Sequence, residues 1–272
     1  MSEENQRLEP VIRRVVVALD ASPCSRAVLR TAARISAALG AELEGLFVED
    51  TRLLDLAELP IAVELRQPGG VRAFDRSLME QELRVVAQTV EHWAGEIAHQ
   101  HNATWRFRVV RGNIARSLMD AAGEHALLSL GRFGNPICPG RPAGPAHIGS
   151  VARRVLSEHR SPLLLLHQEM RPGQPVLVTT SGAAEERPLL AMAVRLAQVY
   201  ASPLMVLTSN PAVEARLTAS LAGSTQAVTF HRLRPGDLRH QILALSRGRG
   251  GLILSHRRDR GLEEMECAII LL

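Results

Sequence analysis

One pattern restricts this chain more than any other: a short apolar run followed by an amphipathic helical stretch, repeated in series, and the series starts twice. Val15-Val16-Val17-Ala18-Leu19 is continuous and rich in β-branched residues, as expected of a strand buried on both faces of a parallel sheet. Val176-Leu177-Val178-Thr179 follows Val16-Val17-Ala18-Leu19 by 160 residues (176 − 16). With that offset the next helix and strand align without a gap, and Leu46-Phe47-Val48 falls on Val206-Leu207-Thr208. Further on, Val110-Arg111-Gly112-Asn113 resembles Arg234-Pro235-Gly236-Asp237, and Ala126–Leu130 resembles Gly251–Ser255. Cys267–Leu272 supplies a last strand. Strand and helix in alternation predict an α/β fold of two tandem, doubly wound parallel sheets. The expected domains are 10–169 and 174–272, joined near Arg171-Pro172-Gly173-Gln174-Pro175.

Within the first copy, Asp20 closes the opening strand. Ser22-Pro23 gives an N-cap and a first helical residue, and Gly40 ends that helix. A second strand spans Leu43–Val48. Residues 51–78 break the rhythm. Leu53, Leu54, Leu56, Leu59, Ile61, Val63 and Leu65 are poorly periodic, and Gly69-Gly70 follows. The expectation is an insertion, part helix and part loop, serving as a flap or an interface element or only as packing filler. A long helix over Arg76–His101, a strand at Trp105–Val110, a short helix after Gly112-Asn113 and a strand at Ala126–Leu130 come next. A helix over Ser150–Glu158 and a strand at Leu163–His167 complete the copy. The second copy lacks the insertion and most of the final helix.

Composition narrows the function classes. With 46% apolar residues and mean hydropathy near zero, the chain has ample core, and no apolar run approaches the ~20 residues of a membrane span. The charge is +4, with every basic residue an arginine, and aromatics are only 3%. Base-stacking nucleic-acid modules need more aromatic platforms, so neither nucleic acid nor membrane is an expected partner. Cys24, Cys138 and Cys267 lie far apart without a C-x-x-C pair, which suggests reduced thiols. Together with the polar, acidic opening MSEENQRLEP, they suggest a cytoplasmic location. Cys24 reads as a small buried or capping residue, and the scattered histidines predict no metal site.

The stretch Leu130–Ser150, LGRFGNPICPGRPAGPAHIGS, carries five glycines between a strand and a helix. Such a turn lets backbone approach a bound group, and the following helix offers free N–H groups to an anion. The alternative is an irregular surface loop, which its four prolines also fit.

The segment VVVALDASPCSRAVLRTAARISAALGAELEGLFVE resembles the opening of a universal stress protein domain, and LLSLGR with GSVARRVLSEHRSPLLLLH resembles its close. The second half is similar in layout, not in motifs. The resemblance implies tandem five-stranded sheets of order 3-2-1-4-5, packed as an intramolecular pseudo-dimer and open to homodimer formation. It places Asp20 beside Gly131 at the switch-point crevice. Nucleotide-binding members carry Gly-x2-Gly-x9-Gly-Ser/Thr. Gly131-x2-Gly134 matches its start, while Gly149-Ser150 enters the helix later than the pattern asks, so the loop is lengthened.

What the resemblance implies is ATP or another adenine nucleotide, with Mg2+ where the nucleotide brings it. Ala18, Leu19 and Asp20 would lie at the ribose and base, and the backbone near Val48 at the adenine edge. Leu130, Gly131, Arg132, Gly134, Gly149, Ser150 and Val151 would surround the phosphates. Arg132, Arg141, Arg153 and Arg154 would add positive field at the loop. In the second half Thr180, His256 and Asp259 replace Asp20, Gly131 and Gly134, which predicts no nucleotide there.

Related adenylating enzymes carry Ser-Gly-Gly-x-Asp/Glu-Ser after the first strand. Here Asp20-Ala21-Ser22-Pro23 stands in that place, which argues for a regulatory or stress-protective binder with at most slow hydrolysis. A nucleotide-free interaction protein of the same fold is the alternative.

Overall fold

The computed structural model describes residues 12–272 except 60–62, 67–69, 74, 124, 133–147, 167–168, 182, 184–185, 222–226, 235–237, 247–250 and 257–266. In the first half, β1 (Arg14–Leu19), α1 (Pro23–Leu39), β2 (Glu42–Asp50), α2 (Thr51–Ala57), β3 (Val63–Arg66) and β4 (Gly70–Ala73) come first. There follow α3 (Arg76–Gln100), β5 (Trp105–Gly112), α4 (Ile114–Ala122), β6 (Ala126–Gly131), α5 (Ser150–Glu158) and β7 (Leu163–Leu166). The second half holds β8 (Val176–Thr179), α6 (Arg187–Val199), β9 (Leu204–Thr208), α7 (Pro211–Leu221), β10 (Val228–Arg232), α8 (Leu238–Ser246), β11 (Leu252–Ser255) and β12 (Ala268–Leu271).

The strands form a ten-stranded sheet in the order β10-β9-β8-β11-β12-β7-β6-β1-β2-β5. Each half therefore has the order 3-2-1-4-5, as the resemblance implied. The register repeats as well: Val15 stands opposite Leu43 in the first half and Val176 opposite Leu204 in the second, an offset of 161 (176 − 15), one more than the apolar runs suggest. The halves meet at β7 and β12, the only antiparallel pairing among the described strands of this sheet, with Leu164 opposite Ile270. Both strands are continuous apolar runs, buried on both faces, as sheet centres require.

Local chemistry sets the boundaries. Ser22 caps α1 by accepting from the Ser25 N–H, and Pro23 opens the helix. Gly40 ends it in the left-handed conformation at φ 65°, where a Cβ is costly. Asp50 caps α2, Asp75 caps α3 and Asn113 caps α4, each by accepting a backbone N–H. The insertion holds one element unforeseen from its pattern: β3 and β4 pair antiparallel, Val63 with Ala73 through Arg66 with Gly70. In the second half the first helix begins at Arg187, three residues later than the offset of 161 places Pro23.

One hydrophobic cluster runs through both halves. It joins Val15, Leu29 and Ala33 to Leu189, Leu196 and Tyr200, so α1 packs on α6. On the other face of the sheet, α4 and α5 pack over Val16, Leu46 and Leu128. Glu44, fully buried on β2, is paired with Arg14 (3.2 Å), Arg106 (2.7 Å) and Arg108 (3.0 Å). A buried carboxylate is tolerable only with such partners. These pairs lie at the end of the sheet away from the carboxyl ends of β1 and β6. Among the described residues, no helix is long and apolar enough to cross a membrane.

Candidate functional site

β1 and β6 are neighbours, paired from Arg14 opposite Ala126 to Val17 opposite Ser129. Their connections leave in opposite directions, α1 to one face and α5 to the other. The strand order reverses here, and a crevice opens beyond the carboxyl ends. It is a cleft of about 420 Å³, of a size that suits a small-molecule ligand.

Ala18, Leu19, Asp20, Val48, Leu130, Gly131, Gly149, Ser150 and Val151 all line this cleft. Gly134 lies outside the described residues, as do Cys138 and Arg141. Arg132 does not line the cleft: its side chain is only 2% exposed. Expected to add positive field at the loop, it is instead buried, because the strand ladder continues through it. Its N–H donates to the Leu166 carbonyl at 2.8 Å, and its own carbonyl accepts from the Gly149 N–H at 2.9 Å. That second bond ties the two ends of the long glycine-proline stretch together. The extra loop length therefore does not separate Gly131 from Gly149.

The N-terminus of α5 faces the cleft. Gly149 is its N-cap, and among the described residues no side chain caps it. Ser150, Val151 and Ala152 occupy the first three helical positions, whose N–H groups have no acceptor within the helix, and all three line the cleft. Ser150 therefore sits inside the helix rather than capping it. Arg153 reaches back to the Ile148 carbonyl at 3.4 Å. Arg154 turns the other way and pairs with Glu158 at 3.0 Å, so the expected reach of Arg154 to the loop mouth is not found.

Asp20 sits in a tight local network. Its Oδ1 accepts from the Ser22 N–H (2.9 Å) and the Ser25 hydroxyl (2.7 Å), and the Asp20 N–H donates to Ser25 Oγ (2.9 Å). The carboxylate is thereby oriented at the start of α1, and among the described residues Oδ2 is left for a further donor. On the neighbouring strand, Glu42 N–H donates to Arg13 and Leu43 N–H to Thr104, so even-numbered residues of β2 turn their backbone toward β1. β1 ends at Leu19, opposite Phe47. Carried forward, that alternation aims the Val48 carbonyl and the Asp50 N–H past the end of β1, on the cleft side.

Apolar side chains complete the walls. Phe47, Leu53, Leu83 and Val86 stand on one side, and Ile114 and Leu118 on the other. Cys24 is exposed and lines the cleft too, so the expectation of a small buried or capping residue is replaced. The charged side chains among the described lining residues are Asp20 and Asp50, and Asp50 is held by Arg52 at 2.9 Å.

In the matching corner of the second half, acid and hydroxyl have exchanged places. Ser181 rather than the expected Thr180 stands where Asp20 stands, and Glu186 stands where Ser25 stands, because the halves superpose with an offset of 161. The Glu186 carboxylate accepts from the Thr180 hydroxyl (2.7 Å), the Ser181 N–H (2.7 Å) and the Ser181 hydroxyl (2.9 Å). Asn210, the counterpart of Asp50, caps its helix in the same way, its side chain accepting from the Ala212 N–H at 3.0 Å. Unlike an aspartate it can also donate, and its Nδ2 reaches the Ser181 carbonyl at 3.3 Å, tying the ends of β8 and β9 together. His256 follows β11 at the position of Gly131, and Asp259 lies outside the described residues.

The family model for the universal stress protein family matches residues 12–167. Among solved structures, a universal stress protein from Archaeoglobus fulgidus DSM 4304 is similar at a TM-score of 0.65 and 14% identity, covering 95% of this chain and 97% of that one. A functionally unknown protein from Pseudomonas aeruginosa PAO1 is similar at a TM-score of 0.54 and 14% identity, covering 100% of this chain and 94% of that one. At such identities these two show a shared fold. No curated protein matches the chain. The family match takes in β1 through β7 and every residue of the cleft, more than half of the sequence: the chain belongs to the universal stress protein family.

Proposed function

We propose that the first half, taken as a domain of residues 10–169, binds an adenine nucleotide in the β1–β2–β6 cleft. The second half, 174–272, serves as its packing partner in a pseudo-dimer. One observation carries the reading: a switch-point cleft that joins an uncapped helix N-terminus at one end to a backbone acceptor and donor at the other. The N–H groups of Ser150, Val151 and Ala152 suit a phosphate, favoured by the helix dipole. Gly131 and Gly149 leave room for it, and Gly134 is assigned to the same path. Asp20 Oδ2 is suited to a ribose hydroxyl or to a nucleotide-borne Mg2+. The Val48 carbonyl can accept from the adenine amino group while the Asp50 N–H donates to a ring nitrogen. A guanine would set its own carbonyl against that of Val48. The role is regulatory or stress-protective, with at most slow hydrolysis.

A nucleotide-free interaction protein is the second reading. It is favoured by two aspartates and no arginine among the described lining residues. Thermal shift with ATP, comparing wild type and Gly131→Asp, separates the two. At a ligand concentration 100 times Kd, binding stabilises by about 2.7 kcal/mol, or roughly 5 °C for a chain of this size. The nucleotide reading predicts that shift for wild type and its loss in Gly131→Asp. No shift at millimolar ATP supports the second reading.

A further inference from the structure

The insertion after β2 supplies part of the cleft wall. α2 buries Leu54 and Ala57 and packs on α3. The same helix turns Leu53, 40% exposed, into the cleft beside Leu83 and Val86 of α3. Leu56, 49% exposed on the same helix, does not line it.

Both ends of α2 are tied down. At its start, Asp50 accepts from the Arg52 N–H (3.1 Å) and from the Arg52 guanidinium (3.1 and 2.9 Å). At its end, the C-cap residue Glu58 pairs with Arg76 at the start of α3. Arg76 also reaches Glu80 (3.5 Å), Glu80 accepts from Arg111 of β5 (3.0 Å), and Arg111 holds Glu49 (2.9 Å). Glu49 is the residue before Asp50, so the chain of charges closes into a ring around α2. A single exposed pair is worth little, but a network whose members share partners fixes geometry better than isolated pairs do.

We propose that α2 is a fixed side wall rather than a moving flap, and that Leu53 packs on the face of the ligand's base. The insertion is thereby a specificity element for a planar heteroaromatic group. This rests on the nucleotide reading above. The chemistry of the wall supports it. Leu53, Leu83 and Val86 offer methyl groups without donors or acceptors. A phosphate or a sugar hydroxyl gains nothing there, whereas a base buries its apolar face. Leu53 therefore contributes to affinity independently of how many phosphates the ligand carries. Arg76 acts as a positioning residue, through the placement of α2.

The test is calorimetric titration of the full chain with adenosine, AMP and ATP. Leu53→Ala weakens all three by the same factor, roughly fivefold to tenfold for the methyl groups withdrawn from the base. Leu56→Ala leaves all three unchanged. Leu53→Met, still apolar and of similar volume, stays within about twofold of wild type. Arg76→Gln weakens all three, and the double variant with Leu53→Ala is no weaker than Leu53→Ala, as expected when both act through one contact. If wild type binds and Leu53→Ala matches it, or if Leu56→Ala is equally weak, or if the loss follows phosphate number, the wall assignment is overturned alone. If wild type binds none of the three, the nucleotide reading falls and this inference with it.

Discussion

Replacing Tyr200 tests whether the two halves form one body. Tyr200 closes α6, is 1% exposed, and sits in the cluster that both halves share. Its hydroxyl donates to the Thr31 carbonyl of α1 at 3.3 Å, and the Arg34 guanidinium lies 5.8 Å from its ring centroid. Burial pushes its phenol well above the ordinary range, so the hydroxyl remains a donor. Around it, Met170 N–H donates to Thr31 Oγ1 at 3.2 Å, and Arg30 pairs with Glu169 at 3.4 Å.

Tyr200→Phe removes one long hydrogen bond whose acceptor is a helical carbonyl, so the expected cost is about 0.5–1 kcal/mol. Tyr200→Ala empties a ring-sized volume between the halves and costs about 4 kcal/mol, with about 0.5–1 kcal/mol more for the lost cation–π contact. At ~2 °C per kcal/mol for a chain of this length, Tm falls by about 8–10 °C for Ala and 1–2 °C for Phe. The assay is scanning calorimetry. A shared cluster and an unbroken sheet predict one cooperative transition that moves as a whole. Two separate transitions with only one displaced by Tyr200→Ala would refute the single-body account. So would a Phe variant as damaged as the Ala variant, since that would place the energy in the hydroxyl rather than the packing.

Two further outcomes follow from single residues. Cys24 is exposed in the cleft and Cys267 is buried, so in a Cys138→Ser background a thiol reagent labels Cys24 first. Saturating adenine nucleotide slows that labelling severalfold, whereas guanine nucleotide leaves the rate unchanged. His101, the C-cap of α3, is held below its ordinary value of 6.5, chiefly by burial and then by the Arg34 and Arg30 charges, with Glu169 opposing. The folded state therefore binds this proton less readily than the unfolded chain does. Stability from this group is complete above pH 6.5 and is lost as the pH falls from there through the lower folded value. His101→Asn flattens that part of the stability–pH curve measured by urea unfolding. An unchanged slope would refute the assignment.

Much of the fold was legible because each local signal agreed with the next. Ser22, Pro23 and Gly40 marked both ends of α1, and the continuous runs at β1, β6, β8 and β11 marked doubly buried strands. The β7–β12 junction was not legible. Leu163–Leu166 and Ala268–Leu271 are apolar throughout, so neither names its neighbour or its direction. The β3–β4 hairpin does carry a sequence signal: apolar residues alternate at Val63 and Leu65 and again at Val71 and Ala73, on either side of the glycine pair.

The site was legible where strand ends placed it. Leu19 and Gly131 end paired strands, so their meeting follows from topology. Side-chain direction was less readable. Arg132 looked like a loop cation and is buried, because the β6 ladder runs one residue further than the glycine suggests. Arg154 has its partner at i+4, Glu158, and that pairing outweighed any reach toward the loop. In the second half the loss of Asp20 was visible, but its replacement by Glu186, acting from the helix side, was not. An exchange of acid and hydroxyl between two positions leaves no fixed-spacing motif.

Calorimetric titration of the wild-type chain with ATP tests the central claim most directly. One open cleft in the first half and, in the second, a Glu186 carboxylate already held by Thr180 and Ser181 predict one ATP bound per chain. The binding should be lost in Gly131→Asp and retained in Glu186→Gln. No binding at millimolar ATP, or binding untouched by Gly131→Asp, would contradict the account.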